Sequence, residues 1–303
     1  MNYLAFSAPL SALVLAPFLQ SVINRTKATL AGRQGQPLLQ PYHDLWKLLR
    51  KGAVYSSVTT VIFRLGPTVS LATGIMALFL LPLGGFPAPL AFAGDFLLLA
   101  YLLGLGRFFT VLAALDTGSS FEGMGASREV LFSSLAEPAL LLALATLCRL
   151  TDASSLSAML AGVNQDLWLG TLPALLIVIC TLGVVLLAEN CRIPVDDPTT
   201  HLELTMIHEV MVLDHSGPDL AFNNYGATLK LWVFSAILAG LVMPLWQALG
   251  LPPWLAFGAG MLTVAIAIGV TESVMARLRM DRVPKLLLSA SLLATLALFL
   301  QQR

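Results

Sequence analysis

Charge is what this chain has least of. Only 11% of its 303 residues are Asp, Glu, Lys or Arg, against 57% hydrophobic, and mean hydropathy is +0.83. Soluble domains carry roughly a quarter charged residues, so a soluble enzyme is excluded. The 17 basic and 17 acidic side chains cancel, which removes the cationic surface that nucleic acid demands. Cysteine is scarce too. Cys148, Cys180 and Cys191 show no metal-like spacing and two lie in apolar runs, so they read as small packing residues rather than iron–sulfur ligands or a disulfide. The N-terminus has no basic segment and no cleavage site, so the first apolar run is expected to stay in the mature chain.

What is present is a set of long apolar runs. Eight candidate spans lie at about 3–23, 61–83, 91–114, 129–149, 167–188, 227–249, 254–275 and 284–300. Lipid cannot satisfy an open sheet edge, so all must be helices. Connections 84–90, 150–166 and 250–253 contain no Lys or Arg beyond Arg149 at a helix end. The alternate connections hold Arg25, Lys27, Arg33, Lys47, Arg50, Lys51, Arg64, Arg128, Arg192, Arg277, Arg279, Arg282 and Lys285. By the positive-inside bias those loops are cytoplasmic and both termini lie outside. The expected fold is an all-α integral membrane protein: about eight transmembrane helices, a short interfacial amphipathic helix and a long cytoplasmic acidic loop at 189–226. Residues 1–303 form one polytopic membrane domain, with no internal repeat.

The charges are concentrated. Glu189 to Gly217 holds Glu189, Asp196, Asp197, Glu203, Glu209 and Asp214 with Arg192, His201, His208 and His215, and Asp219 follows just beyond. Pro194 and Pro198 interrupt helix formation, and a short helix through 201–210 is expected after them. No His pair has the i, i+4 spacing of a helical zinc site, so proton relay or ion pairing is the preferred role. Between the first two spans, Leu38, Leu39, Tyr42, Leu45, Trp46 and Leu49 recur at helical spacing after Pro41, opposite His43, Asp44, Lys47 and Arg50. That is an interfacial helix, either a surface anchor or the wall of a cavity.

Further carboxylates punctuate the spans. Span three carries Arg107, expected to snorkel or to pair with a loop carboxylate. Gly118, Gly123 and Gly125 with Ser119 and Ser120 predict a tight non-helical turn, after which Arg128 and Glu129 open span four. Glu137 lies about two turns into that helix, where an ionisable group costs several kcal/mol unless it pairs or meets water; a functional role is preferred for it. Glu189 ends span five, and Glu272 sits in the last turn of span seven.

Four segments carry a resemblance: GRQGQPLLQPYHDLWKLL (32–49), RFFTVLAALDTGSSFEGMGASREVLFSSLAEP (107–138), AENCRIPVDDPTTHLEL (188–204) and ESVMARLRMDRVP (272–284). They resemble the membrane-arm subunit that docks the peripheral arm in respiratory complex I and in group 4 membrane-bound hydrogenases. The second and fourth look closer to the formate hydrogenlyase and hydrogenase-4 branch. The resemblance implies a subunit without a redox centre, joining an electron-transfer arm to antiporter-like membrane subunits in a prokaryotic cytoplasmic membrane. Iron–sulfur clusters, and a NiFe site where the large subunit keeps one, would belong to partner subunits; quinone binding is left open. Departures occur at Thr199 and His201, where the family runs closely spaced Glu, and beyond Leu204, where only Asp214 to Gly217 echoes an acidic–x–Ser–Gly pattern. The branch is divergent.

The polar residues then divide into two sets. Glu137, Glu189, Asp196, Glu203, Glu209, Asp214 and Glu272 are assigned to a proton or coupling path. Asp44, Arg107, Asp116, Arg128, Glu129, Arg192, Asp197, His201 and His208 are assigned to docking or ion pairing. Two rival readings compete. A free-standing secondary transporter would use the carboxylates as ion sites, yet they cluster toward the cytoplasmic ends, and no Lys is read in the middle of any span. A passive membrane anchor would need them only as interface ion pairs.

Overall fold

A computed structural model of the chain describes residues 6–196 and 206–301. In order, the helices are α1 (Ser7–Leu30), α2 (Gln40–Leu49), α3 (Val61–Leu78), α4 (Asp95–Asp116), α5 (Ser120–Thr151), α6 (Leu156–Gly162), α7 (Gln165–Gly170), α8 (Leu172–Glu189), α9 (His208–Met211), α10 (Gly217–Gln247), α11 (Pro253–Val274) and α12 (Val283–Leu300). Among the described residues there is no strand, and eight helices (α1, α3, α4, α5, α8, α10, α11 and α12) are long and apolar enough to cross a membrane. The all-helical membrane fold expected from hydropathy is the fold observed. Connections α1–α3, α4–α5, α8–α10 and α11–α12 share one end of the bundle, called here the loop end.

Helix α10 is the centre. In its most apolar stretch 72% of residues are buried, against 28–44% in the other spans. It packs on α1, α2, α3, α8 and α11. The outer helices keep apolar faces exposed, as a lipid solvent allows: Leu105, Leu262 and Leu292 are among those left uncovered. Buried apolar side chains of α1, α5, α8, α10 and α11 form most of the main core, including Leu144, Leu147, Leu175, Leu182, Phe234 and Ala239.

Three boundaries differ from the sequence reading. Helix α10 begins at Gly217, ten residues before the expected start at 227, with Pro218 in its first turn where proline is tolerated. Its polar residues Asn223, Asn224, Thr228 and Lys230 line a cavity, so the segment lacks the uniform apolarity that marks a span. Lys230, which the expected span at 227–249 holds in its first turn, therefore lies near the middle of the helix, which corrects the reading that no lysine is in the middle of a span. Helix α5 begins at Ser120, so only Gly118, at φ +70°, makes the expected turn. Gly123 and Gly125 are helical, and Glu129 lies in the third turn rather than at the helix start. Of the short helix expected at 201–210, residues 208–211 are helical and 201–205 lie outside the described residues.

Gly125 serves packing instead of turning. A Cβ there would meet the Val210 side chain and come within 2.8 Å of the Ile207 carbonyl oxygen, so the missing side chain lets α9 lie against α5. Helix α2 starts beside Pro41 as expected; none of its residues is buried, and Trp46 is 60% exposed. Tyr42 Oη donates to the Val14 carbonyl at 2.5 Å, pinning α2 to α1.

Gly125→Ala should overpack this contact and lower stability by about 1–3 kcal/mol. Gly258→Ala, at a helical position where an added Cβ meets nothing within 4 Å, should be neutral or stabilising by up to about 1 kcal/mol. Thermal unfolding of the two variants in detergent checks the pair; equal melting temperatures would contradict the contact.

Candidate functional site: buried charges around a cavity

The site starts from one guanidinium. Arg107, near the middle of α4, has a side chain only 9% exposed. The sequence suggests that it snorkels or pairs with a loop carboxylate; it does pair, but inside the bundle, with carboxylates of two other helices. Nη1 donates to Glu137 Oε1 of α5 at 2.7 Å, and Nη2 reaches both oxygens of Glu189 of α8 at 2.7 and 2.6 Å. Nε lies 3.7 Å from Glu129 Oε1. Lys230 Nζ of α10 adds a second cation to Glu189 at 2.8 Å. Glu189, 3% exposed in its side chain, is the most deeply enclosed member. Unpaired, a charge there would cost several kcal/mol; paired on two sides, it is held. As formally ionised groups the cluster has three carboxylates and two cations.

A second cluster follows on the other wall. Arg192 Nη1 donates to Glu272 Oε1 at 2.8 Å, and Lys27 Nζ lies 2.7 Å from Glu272 Oε2. Arg192 also donates to Gln20. Arg277 Nη2 pairs with Asp196 Oδ1 at 2.7 Å, while Asp196 Oδ2 accepts the Ile207 N–H at 3.2 Å. Here cations outnumber carboxylates.

Between the clusters lies a cavity of about 350 Å³. Arg107, Glu129, Glu189, Lys230, Arg192 and Asp196 border it, together with the carboxamides of Gln20, Asn24, Asn223 and Asn224. It extends to α2, where exposed Asp44, which accepts from Gln40 Nε2, forms part of the wall. Of the two readings of α2, the structure shows the cavity wall. His208 and Glu209 close the cavity from α9. A space of this size, lined by charged and carboxamide groups, is large enough for several water molecules.

The structure gathers Asp44, Arg107, Glu129, Glu189, Arg192, Asp196, His208 and Glu209 at the cavity, and Glu272 and Glu137 one contact behind it. Glu137 corrects the expectation of a buried acid: its side chain is 47% exposed on the outer face of the bundle, although Arg107 pairs with it. Asp116 lies apart and serves the fold, accepting from Thr60 N at 2.6 Å, Thr60 Oγ1 at 2.9 Å and Phe63 N at 3.3 Å at the start of α3. Arg128 Nη1 donates to the Met206 carbonyl at 3.0 Å. Asp214 is exposed, while Asp197, His201 and Glu203 lie outside the described residues. Lys230, Lys27, Gln20 and buried Glu122 were missed. A polar residue every turn from Asn223 through Lys230 was the available signal for Lys230. Glu122 stood in a segment read as a turn.

Near the loop end, burial pushes the Cys191 thiol up, so it stays protonated beside Glu129, to which Sγ donates at 3.5 Å. Burial pushes the His208 imidazole down. It does the same to His215, partly opposed by Asp219 and Asp214. His215 is 4% exposed and stacks on Phe63, ring centroids 4.0 Å apart. Among the described residues no group of three or more His, Cys, Asp or Glu is placed to hold a metal ion.

A bundle of membrane-crossing helices with ion pairs enclosed around a polar cavity defines a polytopic membrane protein with a charged interior. A family model described as NADH dehydrogenase matches residues 3–302. The chain is 32% identical to hydrogenase-4 component C of Escherichia coli K12 over 236 residues, covering 78% of this chain and 73% of that one. It is 31% identical to formate hydrogenlyase subunit 4 of the same organism over 292 residues, covering 91% and 92%. NADH-ubiquinone oxidoreductase chain 1 of Mycosarcoma maydis is 28% identical over 208 residues, covering 66% and 60%. A chain of the membrane-bound sulfane sulfur reductase, an archaeal respiratory membrane complex, shares the fold with a TM-score of 0.83 at 19% identity, over 98% of each chain. The chain belongs to the NADH dehydrogenase family, as the resemblance of its four motifs implied.

Folding places neutral His215 where the unfolded chain would hold it in water. With its folded pKa below the unfolded value of about 6.5, stability is full above that value and is lost as pH falls from there through the folded value. The melting temperature should therefore drop between about pH 7.5 and about pH 5.5. The drop should be smaller in His215→Phe, which keeps the stack on Phe63; equal drops would show that His215 does not carry it.

Proposed function

We propose that this chain is the junction subunit of a complex I-like, group 4 hydrogenase-like respiratory complex. It docks a peripheral electron-transfer arm at its loop end and couples the arm's redox chemistry to ion translocation. The relatives' names supply the class: a hydrogenase-4 component and a formate hydrogenlyase subunit. The observation that supports coupling is the enclosed Arg107–Glu189–Lys230 cluster bordering a polar cavity that reaches the exposed α2.

The chain's own residues would act as follows. A charge change in a soluble module at the loop end alters the field at Asp196 and His208, which border the cavity. Water in the cavity connects these groups to Glu189. Glu189 has two cations in contact, so a small change in its charge redistributes the pairing of Arg107 between Glu189, Glu129 and Glu137. Such a shift, between discrete pairings, is a physical route for coupling across the membrane plane. Iron–sulfur clusters in the partner subunits would supply the electrons, and either a quinone or a hydrogenase-like subunit accepting them would change the charge at the loop end. The lopsided distribution of Lys and Arg supports a loop end in the cytoplasm, with both termini outside, and the Escherichia coli relatives support a prokaryotic inner membrane as the setting.

Glu189→Gln in the assembled complex removes the charge while keeping the shape. Electron transfer should persist, and ion translocation measured in inverted vesicles should fall by an order of magnitude or more. Unchanged translocation with unchanged electron transfer would remove the mechanism and favour a passive anchor.

A further inference from the structure

Glu137 sits where a carboxylate is least welcome. The apolar residues 139–148 that follow it on α5 span only about 15 Å at the helical rise. A hydrocarbon layer is about 30 Å thick, so residues before Pro138 must fill the other half. Glu137 thus lies near mid-membrane, with 47% of its side chain uncovered. It lies over Gly104 of α4, where an added Cβ would be 3.8 Å from Oε1. Arg107 binds Oε1 alone; no donor among the described residues reaches Oε2. Around it, Tyr101, Phe108 and Leu141 are exposed, at 77%, 55% and 36%. Lipid offers this carboxylate no hydrogen bond, and an ionisable group facing it is strongly disfavoured.

We propose that the α4–α5 face around Glu137 is a lateral docking surface for a transmembrane helix of another membrane subunit, which brings a basic side chain to Glu137. The charge balance selects a basic partner: Arg107 and Lys230 serve three carboxylates, Glu129, Glu137 and Glu189, and the most exposed of the three faces the proposed partner. Aromatic and leucine side chains flanking a single acid suit one helix with one central cation. This deepens the proposed function and rests on it, since it places this chain beside a further membrane subunit.

Cross-linking in the assembled complex tests it. Leu141→Cys, one turn from Glu137, is labelled with a benzophenone maleimide and photolysed in native membranes. The expected adduct contains a second membrane subunit, and mass spectrometry places the joined peptide within a helix that carries a Lys or Arg. Glu137→Lys should reduce the adduct several-fold, and reversing the partner's basic residue to Glu should restore it. Should Glu137→Lys fail to assemble, Glu137→Gln is used, with a smaller loss expected and Glu137→Asp retaining the adduct. Label attached only to lipid, an adduct with a second copy of this chain, or a partner peptide without a basic residue overturns the proposal. An adduct in a complex whose Glu189→Gln variant still translocates ions leaves the surface standing and removes the coupling reading.

Discussion

The structure depends on Arg107 being paired from three directions. A guanidinium inside a membrane bundle is tolerable only where carboxylates replace the water it has lost, and its planar fork serves two of them with near-ideal hydrogen bonds. The two bonded carboxylates come from α5 and α8, so the pairing also sets how α4, α5 and α8 stand relative to one another. Lys230 brings α10, the central helix, into the same arrangement. Electrostatics that would be a modest gain at a water-exposed surface becomes a constraint on assembly here, because Arg107 and Glu189 left alone would be enclosed and unpaired.

Packing makes room for those charges. Gly125 lets α9 close on α5, which brings His208 and Glu209 to the cavity. Gly106, where a Cβ would stand 2.6 Å from Thr73 Oγ1, lets α3 and α4 approach next to Arg107. The second cluster, built on Glu272 with Lys27 and Arg192, joins α1, α11 and the segment after α8 on the opposite wall. The cavity is therefore bounded by two groups of ion pairs with opposite formal imbalance. The same ion pairs tie the enclosing helices together across the cavity.

Hydropathy made the eight spans and their alternating loops legible, because a membrane helix must be apolar over its length and basic residues gather on one side. Four motifs made the family legible, and the matches to hydrogenase-4 component C and formate hydrogenlyase subunit 4 agree with it. The site was legible in its parts but not in its pairing. Arg107 and Glu189 are 82 positions apart, and no periodicity reveals which acid meets which base. Lys230 was missed because it falls in the first turn of the expected span, where a lysine reads as an interfacial anchor; the turns before it trade apolar residues for Asn at the cavity and do not look like a span. The orientation of Glu137 was hidden because side-chain direction in a helix of almost uniform polarity is set by neighbours, not by pattern.

Arg107 and its acids form one interdependent unit, and the stability of single and double variants measures that interdependence. Unfolding of Arg107→Met should show a loss of roughly 3–5 kcal/mol, the cost of abandoning an enclosed partner. The double variant Arg107→Met with Glu189→Gln should recover part of that loss, by about 0.5–3 kcal/mol of coupling. A single variant as stable as the parent, or losses that simply add, would contradict the account.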